Sequence, residues 1–385
     1  MPSGPGDVLE LIRHGRAFTR GDVLDVTGLS RMTVAQRVDA LLAAGLIIEG
    51  AKRGATGGRR PRTLAFNADH GVVVSAAMDT THTRVALTDL EGRISAREEV
   101  QAVIGDGPES TLDVIVRAAD RLMERAGVRL ERVKGVGISV PGPVDPDTGR
   151  PSQPPIMPGW DDYPVAEHVQ KSWPGLPVLT ANDADVAALG EYTAGFPTAR
   201  ALCLVKVATG IGTGIVINGS TYRGTDGGAG DIGHVRLRNE TEAVCQCGAR
   251  GCLASVASGG ALAARLTALG HPAYSGKDVG ELLAAGNPDA ARLTQEAGRL
   301  IGEVMATVVC VLNPQVVVVS GSLASAPLLA GMKETLYALS LPRATRHLSL
   351  QLGVLGPDAP LVGLTRLVVD QEYSPEVVNE HLSGN

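Results

Sequence analysis

Residues 72–94, VVVSAAMDTTHTRVALTDLEGRI, and residues 202–224, LCLVKVATGIGTGIVINGSTYRG, read alike: an apolar strand, a turn of small or hydroxyl residues, then a second apolar strand. Each opens one half of the chain. Short Val-rich runs bounded by Gly-rich turns and alternating with helical spacing are the pattern of an α/β protein. The loose repetition predicts two lobes with a ligand cleft between them. Strands are expected near residues 71–78, 83–89, 135–140, 201–207, 213–217 and 315–320, and helices near 110–126, 183–194 and 290–311.

The chain has 385 residues, more than one core usually organises. Hydrophobic residues make up 44% and charged residues 20%. No apolar run reaches about 18 residues, so no membrane partner is expected. The opening MPSGPGDVLELIRHG lacks a basic stretch followed by an apolar one, so no secretory signal is read and a cytoplasmic location is expected. Charge is unevenly placed. Residues 1–68 hold ten Lys/Arg against six Asp/Glu, +4, which leaves −10 for the remainder of a chain whose total is −6. A basic head on an acidic body is expected where one end meets phosphate.

That head has helical text. DVLELIRHG (7–15) spaces Val8, Leu11 and Ile12 on one side, and TRGDVLDVTG (19–28) gives a second short helix. A third, SRMTVAQRVDALLAAG (30–45), starts at Ser30, buries Val34, Val38 and Leu41, and stops at Gly45. Its other face carries Arg31, Thr33, Gln36 and Arg37, side chains suited to base edges in the major groove. The following LIIEGAKRGATGGRRPRTLAFN (46–67) reads as strand, basic turn, strand, with Lys52, Arg53, Arg59, Arg60 and Arg62 near the tip. Together these predict a winged helix-turn-helix that binds a double-stranded DNA operator. A three-helix packing module with merely solvated basic residues is the plainer alternative.

Farther along, one His and three Cys stand in GGAGDIGHVRLRNETEAVCQCGARGC, residues 227–252. His234, Cys245, Cys247 and Cys252 make a closed four-ligand set of one nitrogen and three thiolates, typical of structural zinc; unmetallated buried thiols are the alternative. Three of the five cysteines fall within eight residues, which argues against a disulfide framework. Cys203 and Cys310 read as core.

Five motifs follow in order: GVGISVPGPVDPDTG (135–149), ANDADVAALGE (181–191), VATGIGTGIVING (207–219), GGAGDIGH (227–234) and CQCGARGC (245–252). In this order they resemble the ROK family of sugar kinases and sugar-responsive repressors, over about residues 71–370. The head in front resembles the repressor branch. The resemblance implies a two-lobed actin-like (ribonuclease-H-like) fold behind the winged helix-turn-helix. Expected domains are 1–68 for the head, 71–194 and 195–370 for the two α/β lobes, the second with the zinc loop, and a C-terminal tail at 371–385.

The resemblance also assigns a ligand site. Asn182 matches the family's sugar-binding Asn and Asp183 its catalytic base, although an Asn-Asp pair also caps a helix. Asp231 stands where the family has Glu, Ala254 replaces a second Glu, and His234 is expected near the sugar. Pro141, Gly142, Gly159 and Trp160 are expected in its wall.

Two departures count against catalysis. The first phosphate turn aligns with Ala77 at the family's Asp, Asp79 at its Gly and Thr81 at its Thr; in the alternative register, two residues on, Thr81 takes the Gly position. At about 4 Å and an effective dielectric near 20, a carboxylate against phosphate costs on the order of 4 kcal/mol. The second turn keeps Thr209, Gly210, Gly212 and Gly214 but has Ala208 for Gly. The expectation is therefore a repressor of carbohydrate genes, not an enzyme, that senses a sugar or sugar-phosphate and assembles as a homodimer or homotetramer. The alternative is an ATP-dependent sugar kinase with an appended DNA-binding domain.

Overall fold

The computed structural model describes residues 4–50 and 62–383. Three helices come first, α1 (Pro5–Arg13), α2 (Arg20–Thr27) and α3 (Arg31–Ala43), then an antiparallel pair, β1 (Ile47–Glu49) and β2 (Leu64–Phe66). Local chemistry accounts for the boundaries. Thr19 accepts the Asp22 N–H at the start of α2, Ser30 accepts that of Thr33 at the start of α3, and Gly28 ends α2 with φ 68°. Lys52, Arg53, Arg59 and Arg60 lie outside the described residues.

The two repeated stretches each seed a five-stranded sheet. The first contains β3 (Val72–Met78), β4 (His82–Thr88), β5 (Ile94–Gln101), β6 (Val133–Val140) and β7 (Val178–Asn182), in the order β5-β4-β3-β6-β7. Helices α4 (Pro108–Ala126) and α5 (Val165–Gln170) belong to this half, and α6 (Asp183–Gly195) leads out of it. The second contains β8 (Ala201–Val207), β9 (Ile211–Ile217), β10 (Ser220–Thr221), β11 (Val316–Ser320) and β12 (Ser349–Leu352), in the order β10-β9-β8-β11-β12. Its helices are α7 (Leu253–Ala257), α8 (Gly259–Ala268), α9 (Gly276–Ala284), α10 (Pro288–Leu312), α11 (Ala326–Leu339) and α12 (Pro342–Thr345).

In both sheets the first three strands form an antiparallel meander, and two parallel strands follow on the other side of the first. The sheets are therefore topological copies. Strands β5, β7, β10 and β12 had no counterpart in the sequence reading. The reason is visible for β5, an edge strand whose ISAREEVQ alternates half-buried and exposed residues and so never presents an apolar run.

The chain ends by returning. Helix α13 (Ala359–Glu372) packs not on the second sheet but against α6 and the first, where Thr365 exchanges hydroxyl contacts with Thr88 (2.7 Å) and Ser75 (3.2 Å). Residues 195–370 therefore do not form one lobe, because their last helix joins the other. Helices α6 and α13 cross closely enough that a Cβ on Gly190 would lie 2.0 Å from Ala359 O, and one on Gly363 would lie 1.7 Å from Val186 O. Only glycine permits that approach.

Residues 371–385, expected as a tail, contain α14 (Pro375–Ser383), which packs on α1. Val8, Leu9, Val34, Val38 and Leu41 of the head share one apolar core with Val73, Val368, Val369, Tyr373 and Val378. Arg13 seals the joint, pairing with Asp370 at 2.8 Å and donating to Val369 O at 2.9 Å. Among the described residues no helix is long and apolar enough to cross a membrane.

Candidate functional site

A cavity of about 800 Å3 opens between the sheets. All six residues expected to meet a ligand, Pro141, Gly142, Asn182, Asp183, Asp231 and His234, line it. They arrive by short routes: Pro141 and Gly142 directly after β6, Asn182 and Asp183 at the junction of β7 with α6, and Asp231 and His234 on the loop that precedes the thiolate cluster. Asn182 is heavily committed. Its Oδ1 accepts the N–H groups of Ala184 (2.9 Å) and Asp185 (3.2 Å), and its Nδ2 donates to Gly142 O at 2.9 Å. It is a helix cap that also ties two walls of the cleft together. Trp160 stands elsewhere: its side chain is fully buried in the first-half core, with Nε1 donating to Ile104 O at 3.1 Å, and neither it nor Gly159 reaches the cavity.

Asp183 has a partner that the sequence reading missed. Lys206, on β8, donates to its Oδ2, and the two side chains are only 16% and 11% exposed. Burial opposes charge on Lys206, but Asp183 and Asp79 outweigh it and raise the ammonium above its ordinary range. Burial likewise pushes Asp79 up, yet the Lys206 charge and the Thr80 N–H overcome it and hold this carboxyl below its usual range. On Asp183, burial is the larger influence and raises the group against the pull of Lys206. The signal in the sequence was a single lysine within the apolar strand ALCLVKV.

A second cavity of about 420 Å3 lies behind these groups. It takes in the β3–β4 turn, the residues after β11 (Gly321, Ser322) and those after β12 (Gly353, Gly356), none of which the sequence reading singled out except the turn. Asp79, Thr80, Asp183, Lys206, Ala208 and Thr209 line both cavities and so form the neck between them. Asp185, in the first turn of α6, is 5% exposed and faces Arg223 at 3.9 Å. Burial, opposed by Arg223 and reinforced by Asp183 and Asp231, pushes it up to about 7.

At the mouth, the donor atoms of His234, Cys245, Cys247 and Cys252 all lie within 4.8 Å of one another. His234 Nδ1 stands 3.6 Å from Cys245 Sγ, and Cys247 Sγ 3.8 Å from Cys252 Sγ. A tetrahedral ion with metal–sulfur bonds of about 2.3 Å has edges of about 3.8 Å, so the cluster can hold a metal. The donor set agrees, because one imidazole nitrogen and three thiols are the ligand types of closed four-coordinate zinc sites.

The head presents α3 to solvent. Arg31 and Gln36 are exposed, as is Met32 at 72%, while Thr33 is half-buried with its hydroxyl 2.8 Å from Ser30 Oγ. Arg37 is half-buried, with one guanidinium nitrogen enclosed and unpaired among the described residues. Arg62 pairs with Glu49 across the β1–β2 ladder.

Fold and site thus define a class: an α/β protein of two duplicated sheets around a polar cleft, with a His–Cys cluster able to hold a metal at the mouth and a small helical head. The chain belongs to the ROK family, whose description matches residues 74–371. It is 28% identical to the xylose repressor of Bacillus subtilis over 94% of each chain. It is 31% identical to a glucokinase of Halalkalibacterium halodurans, over 78% of this chain and 96% of that one. Among solved structures, a ROK family transcriptional regulator described as a homologue of the E. coli MLC protein superposes with a TM-score of 0.81 at 24% identity, covering 99% of this chain and 98% of the other. These structures carry the actin-like fold.

Proposed function

We propose that this chain is a DNA-binding repressor of carbohydrate genes that senses a sugar in the cleft. The observation that carries the reading is the shared core between head and body. Helix α3 keeps its Arg31–Gln36 face open, while α1 is clamped to α13, whose other flank crosses α6, the helix that begins at Asp183. A ligand that shifts Asp183 and the start of α6 therefore acts on a packed rod ending at Arg13. Packed elements with two arrangements are what couple distant sites.

The xylose repressor likeness spans both head and body, which supports the same reading. Asp79, Asp183 and Asp231 against the single ammonium of Lys206 make the cavity acidic, which favours an uncharged sugar over a sugar phosphate. The four-ligand cluster holds zinc structurally and keeps His234 at the cavity wall. A dimer or tetramer would set two heads on DNA half-sites about one helical turn apart.

The test is anisotropy titration of the full chain onto its own promoter DNA, with and without D-xylose, D-glucose and N-acetylglucosamine. One sugar should change the affinity about tenfold or more. Equal affinity throughout would rule out sensing of these sugars. Gln36→Ala should cost about 1–3 kcal/mol on operator DNA and little on unrelated DNA.

The second reading is an ATP-dependent kinase, favoured by Asp183 at the base position and the intact Thr209–Gly214 glycine pattern. It requires sugar-dependent ADP release that Asp183→Asn abolishes.

A further inference from the structure

Lys206 and Asp79 come from opposite halves of the molecule. Asp79 directly follows β3 in the first sheet, and Lys206 is the next-to-last residue of β8 in the second. Asp183 stands between them, at the point where the chain leaves the first sheet through α6. The three line the neck that joins the two cavities. Two carboxylates brought to one neck from the same side of a cleft are the donors with which oxygen-rich sites hold a divalent metal. Here the cation at that neck is covalently part of the chain.

We propose that Lys206 is a built-in counter-ion that occupies the place of a divalent cation between Asp79 and Asp183, clasps the two halves together, and makes the cleft a receptor independent of metal–nucleotide. The inference refines the sensing reading above and rests on it only for the word receptor. Three physical points support it. A buried ammonium is tolerated only where anions stand close, and Lys206 pairs directly with Asp183 while Asp79 lines the same neck beyond ion-pair distance. An ammonium already donating to Asp183 repels a second cation from the same carboxylate, so a metal would have to bind against that charge or displace the lysine. The charge also lies across the only stretch of wall that both cavities share among the described residues, so a metal-bound phosphate passing from one cavity to the other would meet it.

The proposal predicts what happens when the cation is removed. Lys206→Met keeps the length and apolar stem of the side chain but leaves Asp79 and Asp183 facing one another without a counter-ion. The zinc-loaded, full-length variant should then acquire a saturable Mn2+ site, read by water-proton relaxation, that binds about tenfold or more tighter than anything in the wild type. Adding Asp79→Asn to that variant should remove the gain. Wild type binding Mn2+ as tightly as folded Lys206→Met, or folded Lys206→Met gaining no site, would overturn the proposal.

Should Lys206→Met not fold, Asp79→Asn in the wild-type background decides the matter, because it leaves the Lys206–Asp183 pair intact. Amide exchange at Thr80–His82 and Ala208–Gly210 should rise about tenfold if the clasp holds the halves together. Unchanged exchange would sink it. Neither arm uses a sugar or an operator, so the outcome is separate from that of the repressor reading.

Discussion

The β3–β4 turn and the β8–β9 turn occupy the same place in two sheets of identical topology, and they have gone different ways. Next to last on its strand, the first has Ala77 and the second Lys206; directly after the strand, the first has Asp79 and the second Ala208. The charges are complementary and sit at exchanged positions. The second turn is also structurally enclosed. A Cβ on Gly214 would lie 2.2 Å from Ala184 O on α6, and the metal loop presses on the same strand, with Gly230 and Gly233 stacked on the carbonyls of Thr213 and Ile211. The first turn has no comparable glycine and is held instead by backbone bonds from Ala102 to Thr81 O and from Ile104 to Thr80 O. Equivalent places in two sheets of one topology thus carry opposite charges, and the cleft between them takes its chemistry from that difference.

Removing the metal should have the largest effect on this contrast. Chelation, or Cys252→Ser, should destabilise the second half by several kcal/mol and expose amides at Ala208–Gly214, leaving Asp79–His82 nearly as protected as before. Hydrogen exchange by mass spectrometry, with zinc content measured in parallel, reads this directly. Equal loss at both turns would break the comparison.

Gly214→Ala comes next. It should cost about 2–4 kcal/mol in urea unfolding, because the obstructing atom is helix backbone that cannot step aside. Thr80→Ala on the other turn should stay within about 0.5 kcal/mol.

The pH dependence is third. Asp185 lies under the second turn with its carboxyl raised to about 7. Folded protein holds this proton more tightly than unfolded chain, so its contribution to stability is greatest on the acid side. It falls as the pH rises from about 4 to about 7, then levels off. The swing is on the order of 2–4 kcal/mol. With zinc saturating, Asp185→Asn should flatten the slope between about pH 5 and about pH 7.5; an unchanged slope would assign it to another group.

The smallest effect belongs to Arg62→Ala. Pairing with Glu49 already offsets its charge, so the salt dependence of operator binding should change by less than the one unit that a free phosphate contact carries.

Much of this was legible in the residues themselves. Strands with continuous apolar runs, helices with Ser, Thr or Asn caps, and the His–Cys spacing all record local physics, so β3, β8, α3 and the metal cluster stood out. Lys206 did not, because its meaning depends on Asp79 and Asp183, which lie far away in sequence and reach it only through the fold. The same holds for α13. Its text reads as an ordinary amphipathic helix, and nothing local says that it leaves the second sheet for the first. Trp160 misled for the opposite reason: a Gly-Trp pair near the cleft motifs suggested a wall, whereas the indole filled core space that only packing reveals.

The joint between head and tail has a consequence for how the protein is made. The apolar core beneath α1 is completed by Val368, Val369, Tyr373 and Val378, which leave the ribosome long after α1 does. Until then the head lacks one wall, however long ago its own residues emerged. A nascent chain therefore cannot close the core beneath its first helix until α13 and α14 have been made, so the head is finished by helices encoded far downstream of it.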